Sequence, residues 1–139
     1  MGRSQEIAQL KQNRHMQKQL IKWLGPLTTS QKELIHKWSL KSNSNHKLMA
    51  QARSDWQKTF DDTLLNKRDH SDFEQRVQTL LVYPEKLWSE EYQQSVTLNQ
   101  KTTIELFVNL SHTLNQKQKN KLQKKLRGYI SDFHYLAKN

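Results

Sequence analysis

A chain of 139 residues with three glycines, two prolines and no cysteine has the length of one domain. It excludes disulfides, thiolate nucleophiles and Cys-based metal centres. A formal charge of +10 admits acidic polypeptide, anionic membrane surface or nucleic acid as partner.

No apolar run approaches the roughly 18 residues of a membrane span, and no signal-peptide core is visible. Mean hydropathy is −0.99, so the core must be thin and built from single helix stripes, with four Trp and four Tyr supplying much of its area. So little Gly and Pro leaves few β-turns. The expected fold is all-α: an antiparallel bundle of five or six helices with no strands, residues 1–139 forming a single helical domain. Met1-Gly2-Arg3-Ser4 reads as an artificial start, which leaves room for a targeting segment upstream.

The first helix is expected over residues 4–24. Ile7, Leu10, Met16, Leu20, Trp23 and Leu24 fall at steps of three and four, the spacing of one helix face. Gly25 can close it in the left-handed region, and Pro26 cannot continue it. Thr28 then stands at an N-cap with Gln31 three positions on, the pattern of a capping box. In such a box the Thr28 cap outweighs Gln31. The element recurs as Leu114-Asn115-Gln116-Lys117-Gln118, with Asn as the cap.

Leu34, Ile35 and Trp38 form the inward face of the second helix. Residues 42–45 (Ser-Asn-Ser-Asn) read as a break or bend, because such side chains compete with the helical backbone for hydrogen bonds. The pattern leaves open whether the second and third helices are continuous. A third stripe carries Leu48, Met49, Ala52, Trp56, Phe60 and Leu64. Ser71-Asp72-Phe73-Glu74 reads as a further capping box, opening a short helix with Phe73, Val77, Leu80 and Leu81 inward. That helix should end at Tyr83, before Pro84, with Leu87 and Trp88 anchoring the next connection. Ser89-Glu90-Glu91 is an acid-rich helix start, and Tyr92, Val96, Asn99, Thr103, Leu106, Phe107 and Leu110 make its stripe. The last helix starts at Asn115 and carries Leu122, Leu126, Tyr129, Ile130, Phe133 and Leu136.

Charge is uneven. Residues 1–60 net +8, residues 61–100 net −4 and residues 101–139 net +6. Lys117, Lys121, Lys124 and Arg127 project opposite the last apolar stripe and are the candidate surface for an anionic partner. Lys119 and Lys125 lie nearer the stripe, where their stems can cover apolar area.

Chemistry-bearing patterns are sparse. The six histidines, His15, His36, His46, His70, His112 and His134, form no i, i+4 pair and no metal-ligand spacing. Asp61, Asp62, Asp69, Asp72 and Glu74 read as cap and surface residues around a link. There is no glycine-rich phosphate loop and no nucleophile elbow. The expectation is a protein that is not an enzyme, with no catalytic, metal or cofactor-binding residue and no cofactor. The four tryptophans read as core anchors, and the aromatic interleaving of single-strand binders is missing from the basic face.

The Leu-Thr-x-x-Gln element and its Asn-variant repeat resemble the motif pair of the Spy-like periplasmic chaperones, which implies ATP-independent holding of unfolded clients. A longer pattern runs through Trp23 to Thr28, Trp56-Gln57, Leu80 to Ser89, Asn99-Gln100, and Leu110 to Leu136 with Asp132-Phe133. It resembles the C-terminal half of a proteobacterial lipoprotein family known as a domain of unknown function. That resemblance implies part of a longer periplasmic protein, lipid-anchored through an N-terminal cysteine outside this chain. It carries over no catalytic residues.

Three functions follow as expectations: a periplasmic helical binding module, chaperone-like or adaptor-like; an envelope domain resting on anionic lipid; or, behind these, a nucleic-acid binder.

Overall fold

The structure, a computed structural model, describes residues 2–42 and 45–138. The fold is all-α, with six helices and no strand among the described residues: α1 (Arg3–Leu24), α2 (Thr29–Lys41), α3 (His46–Asn66), α4 (Phe73–Val82), α5 (Glu90–Ser111) and α6 (Gln116–Lys138), with a 3-10 turn at Pro84–Leu87. Helices two and three are separate; Asn43 and Ser44 of the expected break lie outside the described residues. The chain forms two compact units: residues 1–42 with 101–139, and residues 43–100. The division falls within α5.

The first unit is built on the α1–α2 turn. The Gly25 N–H donates to Ile21 O at 2.8 Å, and Gly25 has φ +80° and ψ −161°, which an L side chain rarely adopts. The chain doubles back there, and Gln9 Nε2 donates to Leu40 O at 3.4 Å. The core holds Leu20, Leu24, Leu27, Ile35, Leu106 and Leu110, with Met16, Trp23, Leu34, Trp38, Leu114 and Leu122 packed around it. Trp38 Nε1 donates to Thr103 Oγ1 at 3.1 Å, which satisfies the indole while its ring covers the core edge.

The inward face of α2 differs from the expected one. Its most buried positions are Gln31, Ile35 and Ser39, continued by Ser42 just past its end. Leu34 and Trp38 flank that line half-buried. The Ser39 and Ser42 hydroxyls donate to His36 O and Trp38 O, so they are small and satisfied where another element packs closely. Other expected inward residues are exposed: Ile7 and Leu10 on α1, Phe107 on α5, and everything on the α6 stripe beyond Leu122.

In the second unit Trp56 stacks on Phe60 at 5.0 Å, and its indole N–H donates to Leu80 O at 2.8 Å. Leu80 and Thr63 are buried. The Thr63 hydroxyl donates to Thr59 O, so a polar residue occupies a core position without an unmet bond. Trp88 packs on Tyr92 with ring centroids 4.6 Å apart, while Leu87, Leu64 and Leu81 are exposed, against expectation. The Ser71 capping box does not form. Asp72 stands at the N-cap with its carboxylate turned to the Arg76 Nε at 2.9 Å, so no side chain caps α4. Ser89 does cap α5, accepting the Tyr92 N–H at 3.1 Å.

Candidate functional site

Two of the three expected capping boxes form, those at Thr28 and Asn115. At the first, Thr28 Oγ1 accepts the Gln31 N–H at 3.2 Å, and Gln31 Oε1 accepts the Thr28 N–H at 3.0 Å. At the second, Asn115 Oδ1 accepts the Gln118 N–H at 2.9 Å, and Gln118 Oε1 accepts the Asn115 N–H at 3.1 Å.

The spacing of the two boxes does not reveal that they touch. Gln31 Nε2 donates to Gln118 Oε1 at 2.8 Å, and Gln118 Nε2 donates to Gln31 Oε1 at 2.8 Å. Two carboxamides thus face each other in a closed ring of hydrogen bonds, at 0% and 2% exposure. Each also reaches the residue two before the other box's cap. Gln118 Nε2 donates to Pro26 O at 3.2 Å, and Gln31 Nε2 to Thr113 Oγ1 at 3.2 Å, with Thr113 O at 3.4 Å. The arrangement is a local two-fold repeat: cap, glutamine and an acceptor at minus two, twice. Every donor and acceptor of both side chains is engaged, which a buried amide requires. The motif reading used Pro26 only to end α1 and gave Thr113 no role; their shared offset from the caps was the available signal for their part as acceptors.

This lock fixes the first turns of α6 beside the α1–α2 turn. A Cβ on Gly25 would lie 3.6 Å from Lys121 Cδ, so the Lys121 stem covers the turn instead of standing clear of it. Lys125 Nζ lies 5.6 Å from the Trp23 ring centroid, and Trp23 stacks on Tyr129 at 5.5 Å. The cation and the second ring together clamp α6 to α1. Lys119 is exposed. Lys117, Lys121, Lys124 and Arg127 all remain exposed as expected, and Asn120, Lys121, Lys124 and Lys125 line a shallow open depression.

The first unit carries sixteen basic and four acidic side chains, a net of +12, against seven and nine in the second, a net of −2. Its surface also has an apolar strip. Ile104, Phe107 and Val108 are 63%, 48% and 50% exposed on the side of α5 away from buried Leu106 and Leu110. A recess of about 70 Å³ between α2 and α5 is lined by Leu34, Trp38 and Leu106 with Lys37, Lys41 and Glu105 at its edge. No group of three or more His, Asp or Glu among the described residues could hold a metal ion.

No curated protein and no solved structure matches the chain. Residues 2–93 match DUF6279, a family of unknown function; the stretch includes the Thr28–Gln31 box and stops before the Asn115–Gln118 box. That match spans well over half of the sequence, and the chain belongs to the DUF6279 family.

Proposed function

We propose that this protein is a non-catalytic, ATP-independent binding module for acidic, partly unfolded polypeptide, acting as a chaperone-like or adaptor-like domain of the cell envelope. One observation carries the reading: four cations stand on one exposed face of α6, held in place by a fully satisfied buried lock, in a unit of net charge +12. Long-range attraction to an acidic chain raises the rate of encounter. The exposed strip of Ile104, Phe107 and Val108 then gives apolar contact and sets the dwell time. A periplasmic location and a lipid anchor upstream belong to the same proposal and rest on the sequence resemblance. So does the kinship with the Leu-Thr-x-x-Gln chaperones, which the paired boxes support.

The test is suppression of aggregation at stoichiometric ratio, with one acidic and one uncharged client. The wild-type protein should delay both. Joint substitution Lys117→Glu, Lys121→Glu and Lys124→Glu should weaken holding of the acidic client alone. Replacement of Ile104, Phe107 and Val108 by Ser should weaken both. If neither client is delayed, and the lysine variant instead loses affinity for anionic vesicles or for nucleic acid, the protein is a surface-docking domain or a nucleic-acid binder and the proposal fails.

A further inference from the structure

The basic face of α6 continues onto a second helix. On α1, Lys11, Arg14, Lys18 and Lys22 follow at intervals of three, four and four, all exposed. They stand within about 80° of one another around that helix. Gly25 lies beside Lys121, and Trp23 beside Lys125 and Tyr129, so α1 and α6 run antiparallel. Lys22, Trp23 and Leu24 step around α1 by about 100° each: cation, contact with α6, core. On α6 the contact with α1 likewise falls between Lys121 and Leu122, which packs on the core. Both rows of cations therefore stand on one side of the helix pair, the side away from the core. Lengthwise they are staggered. The α6 row ends near the level of Trp23, and the α1 row carries on from Lys22 to Lys11, so together they make a track about 30 Å long. None of its eight cations forms an ion pair among the described residues; the pair seen there, Asp72 with Arg76, belongs to the other unit.

Gly128 is a separate observation at the same place. It lies inside α6, and among the described residues only Gly25 has a positive φ, so Gly128 is an ordinary helical position where glycine is unfavourable relative to alanine. A Cβ there would meet nothing within 4 Å, so no packing within the chain requires its absence. Seven residues after Lys121, Gly128 shares the cation face, at the level where the track passes from α6 to α1. Glycine at such a point lets another backbone come close.

We infer that an acidic client lies extended along this track, its main chain crossing Gly128 and its carboxylates held by lysines of both helices. The track enlarges the client surface proposed for α6 and rests on that reading.

Geometry selects the extended form. About nine extended residues cover 30 Å, and their same-face side chains recur about every 6.7 Å, close to the roughly 6 Å between lysines one turn apart. A helical client, about 10 Å across with its side chains, would hold its backbone away from Gly128. A lipid surface calls for a broad apolar face, and a nucleic-acid strand for aromatic platforms. Between the two rows lie Gln19, Gly128 and Asp132, all exposed, which supply neither. Asp132 is the one unfavourable charge for an acidic client at this floor.

Fluorescence anisotropy at low salt, with labelled Glu-Ser repeat peptides of about 4, 8, 12 and 24 residues, tests the track. Affinity should climb steeply up to about nine residues and then level off. Joint Lys11→Gln, Lys18→Gln and Lys22→Gln should weaken the peptide of about 12 residues roughly tenfold, as much as Lys117→Gln, Lys121→Gln and Lys124→Gln together. Asp132→Asn should tighten it. Gly128→Leu should weaken it several-fold while raising the melting temperature, a combination that loss of folding cannot produce. If the α1 triple variant binds like the wild type, or Gly128→Leu has no effect, the track is overturned and the α6 client surface stands. Affinity that keeps climbing to the longest peptide overturns it too. If no peptide binds at any length, the underlying client reading fails and the track with it. Tighter binding of oligothymidylate or phosphatidylglycerol vesicles, lost in both triple variants, would assign the track to nucleic acid or lipid and overturn the extended client.

Discussion

Gln31 has no exposed surface, yet its carboxamide carries two donors and an acceptor oxygen, all used. This reverses the ranking that a lone capping box suggests. Thr28→Ala removes one cap bond at a half-open site and should cost about 1 kcal/mol. Gln31→Ala leaves the Gln118 amide buried without its partner and should cost about 3 kcal/mol. Replacing both glutamines by Leu should cost clearly less than the sum of the single changes, since neither then strands a polar group. Urea melts of the four proteins check the order; additive losses would mean the amides act separately. At Gly25 the penalty is conformational. A Cβ there meets only ordinary contacts, but φ +80° with ψ −161° is glycine territory, so Gly25→Ala should cost about 1–3 kcal/mol. The two boxes were legible in the sequence because a cap and its glutamine are three residues apart. Their pairing was not, because local spacing carries no information about a contact across 87 positions.

At the scale of elements, apolar periodicity found every helix and oriented some of them poorly. The buried line of α2 continues from Gln31 through Ile35 and Ser39 to Ser42, with a single apolar member. Thr63 on α3 and Thr102 on α5 are buried in the same way. Small hydroxyl residues that bond back to their own helix satisfy themselves, as Thr63 does, and hydropathy counts them as surface. The start of α4 shows the converse. Ser71-Asp72-Phe73-Glu74 has capping-box spacing, but the Asp72 carboxylate is taken by Arg76. That hydrogen bond holds the Asp72 carboxyl below the ordinary carboxylate range, its largest cause, reinforced by the Arg76 charge. A carboxyl with a lowered folded pKa stabilises the fold above its unfolded pKa, and the contribution is lost as pH falls through the folded value. Asp72→Asn should therefore flatten the acid limb of the stability curve slightly and Arg76→Gln should do the same, while both match wild type at the lowest pH. Thermal melts between about pH 2 and pH 7 check this; the effect should be small because the pair is exposed.

At the scale of the whole molecule, the composition indicated a basic protein, and the folded chain gathers that charge into one unit at +12. Self-repulsion of this size opposes compaction and is relieved by salt. The melting temperature should rise by a few degrees between about 20 mM and about 500 mM sodium chloride; a fall would mean that attractive pairs dominate. The discontinuous first unit has a further consequence, for the order of folding. As the polypeptide emerges from the ribosome, the α1–α2 turn is complete early, but Gln31 stays without its partner until Gln118 has been made. Closing a chain over 87 residues costs about 4 kcal/mol of entropy if the intervening segment is flexible. If residues 43–100 fold first, the effective loop shortens and the closure cost falls. Synthesis of the middle unit thus becomes a step that prepares the ends to meet. A nascent chain stopped short of α6 should expose Leu20, Leu24 and Ile35, and would itself be a substrate for a holding chaperone.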